Sequence, residues 1–122
     1  TLELAKAAVQ NLPPDQLVFI PDWPDAPPPV RIIATLHREL HRSPEAEARN
    51  GIYFVDYRSV AEVAGVSPTK AQQITRALAN RCRVIEIVTN GKAGANGGKA
   101  AEFRYLLAAT TTAKPATGDF EL

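Results

Sequence analysis

The chain has 122 residues, 45% of them hydrophobic, which suits one domain with one modest core. It lacks an apolar run of about 18 residues and a secretion leader, and its single cysteine, Cys82, excludes a disulfide framework, so we expect a cytosolic protein without a redox site. The net charge of +1 is unevenly distributed: residues 1–57 carry five Lys/Arg against eight Asp/Glu, whereas residues 58–105 carry eight against three, a basic half typical of polyanion-binding domains.

The first 20 residues contain a predicted helix and a short apolar run. Over residues 1–11, Leu4, Ala8 and Val9 have the spacing of a short helical stripe. The apolar run at residues 16–20 is compatible with either a strand or buried extended chain.

A proline-rich connector follows. Residues 21–29 hold five of the ten prolines, which excludes a helix interior or a central strand. Trp23 is more readily explained as an anchor that packs the connector on the core than as a platform for stacking bases. We therefore describe residues 1–29 as an N-terminal helix and connector that precede the main domain.

The next segment predicts a long amphipathic helix, one helical turn and a short strand. Residues 30–41 place one apolar stripe along a helix, with charged side chains turned away from it. The stripe contains Ile33, Leu36, His37 and Leu40, and the side chains turned away are Arg31, Arg38 and Glu39. A Ser-Pro start at Ser43 predicts one further turn before the Asn50-Gly51 reversal, and residues 52–57 are typical of a strand.

The second half of the chain predicts two helices joined by a tight turn and then a hairpin. The predicted elements are a short helix over 58–65, a helix over 68–81, a strand over 82–91, a glycine-rich loop over 92–102, a strand over 103–107 and a flexible tail over 108–122.

This order of elements is typical of a winged helix-turn-helix. A helix-turn-helix needs a small residue, here Ala61, where the helices cross, and a residue tolerant of positive φ four positions later, here Gly65. Val66 then fills the angle between the helices, while Ala71 and Ile74 face the core. We therefore predict an α+β, mostly α fold: a winged helix-turn-helix over residues 30–107 with a two- or three-stranded antiparallel wing.

The helix over 68–81 carries the candidate DNA-binding residues. Ser67 is the predicted N-cap and Pro68 the first helical residue. With Ala71, Ile74 and Leu78 inward, the helical period turns polar side chains outward: Thr69, Lys70, Gln72, Gln73 and Arg76. Gln72, Gln73 and Arg76 are candidates for base edges in the major groove, and Ser67, Thr69 and Lys70 for phosphates. The alternative is an ordinary solvated helix face.

Three further cations are candidate phosphate contacts. Lys92 and Lys99 flank the glycine-rich tip of the predicted wing, and Arg58 begins the short helix. The loop lysines and Arg58 are also compatible with ordinary surface residues. The tip sequence GANGGK does not predict a nucleotide-binding P-loop, because Ala100 stands where that motif requires a hydroxyl.

We expect no catalytic site, metal or cofactor. His37 and His41 lie one helical turn apart, a spacing that can hold zinc. A zinc protease requires a glutamate directly after the first histidine, whereas Glu39 comes two residues after His37 and points to roughly the opposite side of the helix. No third ligand is evident, so we expect His37 to be a partly buried core residue.

The motifs also resemble a known family. The family pattern has three parts, and this chain matches each of them. The RxxAxxxGVS entry is matched by Arg58, Ala61, Gly65, Val66 and Ser67. The first strand of the pattern is matched by Ile85, Glu86 and Val88, and the returning strand by Ala101, Phe103, Arg104 and Tyr105. This set resembles the C-terminal winged-helix segment of phage- and plasmid-type primase and helicase replication proteins. The resemblance implies a DNA-binding or partner-docking module of a replication protein. The chain lacks the family's glycine at the end of the recognition helix, and we expect Asn80 to take its place.

These observations favour a duplex-DNA-binding module without enzymatic activity of its own. The partners that we expect are DNA and another replication protein, and no membrane. Two alternatives remain open: a protein-docking module of a replication complex, and a winged-helix transcription regulator that would ordinarily dimerise.

Overall fold

The elements follow the predicted order closely. The computed structural model describes residues 2–89 and 101–107. The elements are α1 (Leu2–Gln10), a 3-10 turn (Pro14–Gln16), α2 (Pro28–His41), α3 (Pro44–Ala48), β1 (Ile52–Val55), α4 (Tyr57–Ala64), α5 (Pro68–Asn80), β2 (Ile85–Thr89) and β3 (Ala101–Tyr105). The fold is α+β and mostly helical, as predicted. None of the helices in these two ranges has the length and apolar character needed to cross a bilayer.

Helix α2 forms the centre of the core. It begins at Pro28, where the fixed φ of proline suits the first helical turn, and it buries the predicted stripe of Ile33, Leu36, His37 and Leu40. The prediction that Arg38 faces outward is wrong, because its side chain is only 6% exposed. Burial raises the pKa of the Tyr105 phenol on β3 to about 12, and the nearby positive charge of Arg38 partly opposes this rise. The Arg38 guanidinium also pairs with the Glu39 carboxylate at 3.1 Å.

The N-terminal helix packs against α2 and α4, with Val9 as the one buried residue of the predicted stripe. Ala5 and Val9 are the buried residues of α1, whereas Leu4 is 72% exposed. Ala5 and Val9 are four positions apart and therefore share a face, while Leu4 is rotated about 100° away from Ala5. The apolar pattern identified a helix here but only part of the side that faces the core.

Residues 17–20 are buried extended chain rather than a strand. Arg31 of α2 donates hydrogen bonds to the carbonyl oxygens of Leu17 at 2.8 Å and Val18 at 3.0 Å, and the Val18 N–H donates to Thr35 Oγ1 at 2.9 Å. These bonds satisfy backbone groups that a β-ladder would otherwise pair. Residues 17–20 and the half-buried Trp23 thus join the same core as α2.

Three antiparallel strands close the other side of the core in the order β1-β3-β2. Tyr53 and Ile87 both pair with Phe103, which lies on the central strand and is fully buried. A register shift between Ile87 and Thr89 interrupts the β2-β3 ladder. The sheet therefore has one face on the helices and one face outside.

Candidate nucleic-acid interface

The turn between α4 and α5 has the predicted glycine geometry. Helix α4 ends at Gly65, which has φ 71° and ψ 33°, the left-handed conformation that favours glycine. The N–H groups of Gly65 and Val66 donate to the Ala61 carbonyl at 2.8 and 3.1 Å. A Cβ at position 65 would meet nothing within 4 Å, so the backbone conformation rather than lack of space accounts for the glycine.

Helix α5 begins where the sequence predicted. The Lys70 N–H donates to Ser67 Oγ at 3.1 Å, so Ser67 is the N-cap, and Pro68 is the first helical residue. Ala71, Ile74 and Leu78 are buried as predicted. Sequence reasoning missed Thr75, which is also fully buried; its hydroxyl donates to the Ala71 carbonyl at 2.7 Å, so the polar group is satisfied inside the core.

The predicted site residues of α5 lie on one side of the helix. Thr69, Lys70, Gln73 and Arg76 are exposed, as is the N-cap Ser67. Gln72 is half-buried, since it lies on the flank of the helix beside the buried Thr75, three positions along. It therefore offers less of its amide to a partner than Gln73. We call the exposed set of Ser67, Thr69, Lys70, Gln73 and Arg76 the α5 face.

Arg76 extends the α5 face toward the beginning of α4. Burial raises the pKa of Tyr57, and the nearby positive charge of Arg76 partly offsets this rise. Arg58, the next residue after Tyr57, is exposed. Arg58 and Arg76 thus lie on neighbouring parts of the two helices.

The cations of this surface are not neutralised within the described part of the chain. Across residues 2–89 and 101–107, no ion pair involves Arg58, Lys70 or Arg76. Glu62, the carboxylate of α4, instead pairs with Lys6 of α1 at 2.7 Å. The α5 face and Arg58 therefore present positive charge to solvent.

The N-terminal segment leaves the α5 face open. Helix α1 contacts α2 and α4, and the connector residues Asp22 and Trp23 lie beside the other end of α5. There Asp22 and Trp23 line a cavity of about 270 Å³ together with Ala77, Arg81 and Cys82. Burial within this packing raises the pKa of the Cys82 thiol.

The end of α5 differs from the prediction. Asn80 is the last helical residue, not a left-handed one, and Arg81 follows it with φ −106° and ψ −38°. The left-handed residue is Arg83, at φ 54°. The Val84 N–H donates to the Leu78 carbonyl at 2.9 Å. The chain thus reverses at Arg83, three residues after the predicted position, Asn80.

Two predicted contacts, Lys92 and Lys99, lie outside the described residues, as do the tip of the hairpin and the tail over 108–122. The structure therefore brings together the candidate residues of α4 and α5. It leaves the contribution of the predicted wing as a prediction.

His37 is packed inside the core. Its ring is fully buried, its Nδ1 lies 2.9 Å from the Tyr53 hydroxyl, and burial lowers its pKa from 6.5 to about 3. We expected partial burial, whereas the packing of Phe103 against the ring, with centroids 4.8 Å apart, excludes solvent completely. In residues 2–89 and 101–107, no group of three or more His, Cys, Asp or Glu side chains is placed to hold a metal ion.

Comparison of the chain with protein-family models, with curated proteins and with solved structures gives no match. The resemblance to replication proteins thus rests on the sequence motifs alone.

Proposed function

We propose that this chain is a winged-helix module that binds duplex DNA, with the N-terminal half of α5 in the major groove. The observation that carries the proposal is the α5 face: exposed donors and cations on one side of a helix whose other side is locked into the core. Such a helix presents its first turns to base edges and its unpaired N–H groups to phosphates. The motif resemblance supports a place in a DNA replication protein of the primase, helicase or initiator type.

The residues of the α5 face have different roles in this proposal. Gln73 and Arg76 contact base edges, because an amide bonds adenine and a guanidinium bonds guanine in a bidentate manner. Lys70, Thr69 and Ser67 contact phosphates, together with Arg58 from α4. The half-buried Gln72 is a weaker candidate, and Lys92 and Lys99 of the predicted wing add backbone contacts.

The test is duplex binding by fluorescence anisotropy over a salt series. Lys70→Ala is expected to weaken binding equally for all sequences and to lower the slope of log K against log salt by about 0.9. Arg76→Ala is expected to cost about 1–3 kcal/mol on the preferred sequence and to relax specificity. The matched control removes two cations elsewhere: Arg42→Ala with Arg49→Ala, which pair with Glu39 and Glu102.

Unchanged affinity and salt slope in the Lys70→Ala, Arg76→Ala double variant would refute the proposal. A parallel loss in the Arg42→Ala, Arg49→Ala control would show that net charge alone, rather than the α5 face, governs binding. Single-stranded DNA of the same sequence is measured alongside, and tighter binding to it would contradict the major-groove assignment.

A protein-docking role is the second candidate, and the outer face of the sheet favours it. Phe54, Val88 and Leu106 are 58%, 38% and 49% exposed, and the strand register places Phe54 beside Glu102 on the face away from the core. Contiguous exposed apolar groups are typical of a protein interface, and these three side chains lie on the sheet or directly after it. If Phe54→Ser with Leu106→Ser abolishes capture of a replication partner and leaves DNA binding unchanged, this role is supported.

A transcription regulator of the winged-helix type would ordinarily bind a palindromic site as a dimer. Sedimentation equilibrium separates this case, because a strictly monomeric chain argues against it.

A further inference from the structure

The turn between α5 and β2 contains a strained, exposed arginine. Arg83 has φ 54°, in the left-handed region where a side chain other than glycine, asparagine or aspartate is unfavourable. Its side chain is exposed, and within residues 2–89 and 101–107 it makes no hydrogen bond and no ion pair. Across the described residues, no hydrogen bond or ion pair of the guanidinium compensates for the backbone strain. Strain retained at an exposed, charged residue points to a use for that side chain outside the folded chain.

Arg81 lies two residues before it and is also exposed. Two carboxylates are close to this pair. Asp22 lines the same cavity as Arg81 but forms no ion pair with it, and Glu86 lines the same groove as Arg83 but is held by Arg104 at 2.9 Å. Neither carboxylate neutralises the pair, so both guanidinium groups are available to an anion.

Arg81 lies almost in line with Lys70 of the α5 face. Arg81 directly follows the last residue of α5, eleven positions after Lys70, and its backbone is still close to helical. An α-helical spacing of eleven places the two residues within about 20° of each other around the axis and about 16 Å apart along it. The major groove of B-DNA is about 12 Å wide. When the N-terminal half of α5 occupies the groove, the other end of the helix extends past its edge, where the phosphate backbone lies.

We propose that Arg81 and Arg83 form a second anion site that binds the phosphates of duplex DNA at the edge of the groove. This inference rests on the proposed function and adds a site to it. The pair contacts the backbone only, so it contributes affinity that is independent of sequence and sensitive to salt.

The experiment compares variants of the full 122-residue chain in the anisotropy salt series and in thermal unfolding. Arg83→Gly relieves the strain, so its melting temperature is expected to equal or exceed that of the wild type while the salt slope falls by about 0.9. Arg83→Lys keeps the charge and is expected to keep the wild-type slope. Arg81→Gln with Arg83→Gly is expected to lower the slope by about 1.8 on every duplex sequence.

The outcomes separate the two proposals. An unchanged slope in the Arg81→Gln, Arg83→Gly variant, while Lys70→Ala lowers it, overturns the second site and leaves the α5 face in place. A wild-type chain that binds no duplex at low salt overturns both. A slope that falls in Arg83→Gly together with a lower melting temperature contradicts the strain argument, since loss of folding would then explain the loss of binding.

Discussion

Acidification should destabilise the fold through His37 before the carboxylates of the surface titrate. The imidazole is fully buried between Tyr53 and Phe103, and its Nε2 has no hydrogen-bond partner in the described part of the chain. Burial lowers the pKa of His37 from 6.5 to about 3 because a charged ring would lose its hydration there. The folded state therefore keeps the neutral ring at any pH above about 3.

Proton linkage gives the direction and the size of the change in folding stability with pH. Below pH 6.5 the unfolded chain protonates His37 and the folded chain does not, so the unfolded state binds more protons and stability decreases as the pH falls. The stabilisation is complete above the unfolded pKa of 6.5 and is lost progressively toward pH 3. Each pH unit between 6.5 and 3 is equivalent to about 1.4 kcal/mol, so the step from pH 7.5 to 4.5 costs about 2.7 kcal/mol.

Urea denaturation followed by circular dichroism at pH 7.5, 6.5, 5.5 and 4.5 measures this loss. The comparison is the double variant His37→Leu, Tyr53→Phe, which removes both partners of the buried hydrogen bond and leaves no unsatisfied hydroxyl. The single variant Tyr53→Phe retains the imidazole and is expected to retain the wild-type pH dependence. If the double variant loses as much stability as the wild type between pH 6.5 and 4.5, the assignment of the dependence to His37 is wrong.

Two further predictions concern the turn that positions α5. Gly65→Ala should reduce the free energy of unfolding by about 1–2 kcal/mol, because alanine is strained at φ 71° although no atom lies close to its Cβ. Gly65→Asn should reduce it less, because asparagine tolerates this conformation. Equal losses for the two variants in urea denaturation would contradict the backbone explanation. Ser67→Ala should reduce the free energy of unfolding by about 1 kcal/mol, because it removes the acceptor for the Lys70 N–H, whereas Ser67→Asp should retain the cap. Hydrogen exchange at the Lys70 amide measures the loss of the cap. Unchanged protection of this amide in the alanine variant would contradict the assignment of Ser67 as the cap.

The α4-α5 pair was largely predictable because its signals are local. A glycine at position 65 and a serine and proline at 67 and 68 fix a turn and a helix start through contacts within about four residues. The period of α5 then identified both its buried side and most of its exposed face. Thr75 was missed because its burial depends on a hydroxyl bond to Ala71, which an apolar pattern does not reveal.

The predictions of side-chain burial were wrong where burial depends on segments that are distant in the sequence. Leu4 is as apolar as any core residue, yet α1 meets α2 and α4 with Ala5 and Val9. Arg38 is charged, yet its burial beside Tyr105 depends on where β3 lies. Neither outcome follows from the residues adjacent in sequence.

The sequence alone thus determined the order of the helices and strands, how the α4-α5 turn is built and which side of α5 is polar, because periodicity, caps and positive-φ residues act over a few residues. It placed the start of β3 two residues late, since Ala101 and Glu102 were predicted as loop. Only the tertiary structure decided the strand order β1-β3-β2, the docking of residues 17–20 on α2 and the open α5 face. The tertiary structure also decided that Arg83 rather than Asn80 would reverse the chain. These features arise from packing between segments far apart in the chain, where burial and hydrogen bonding outweigh local preference.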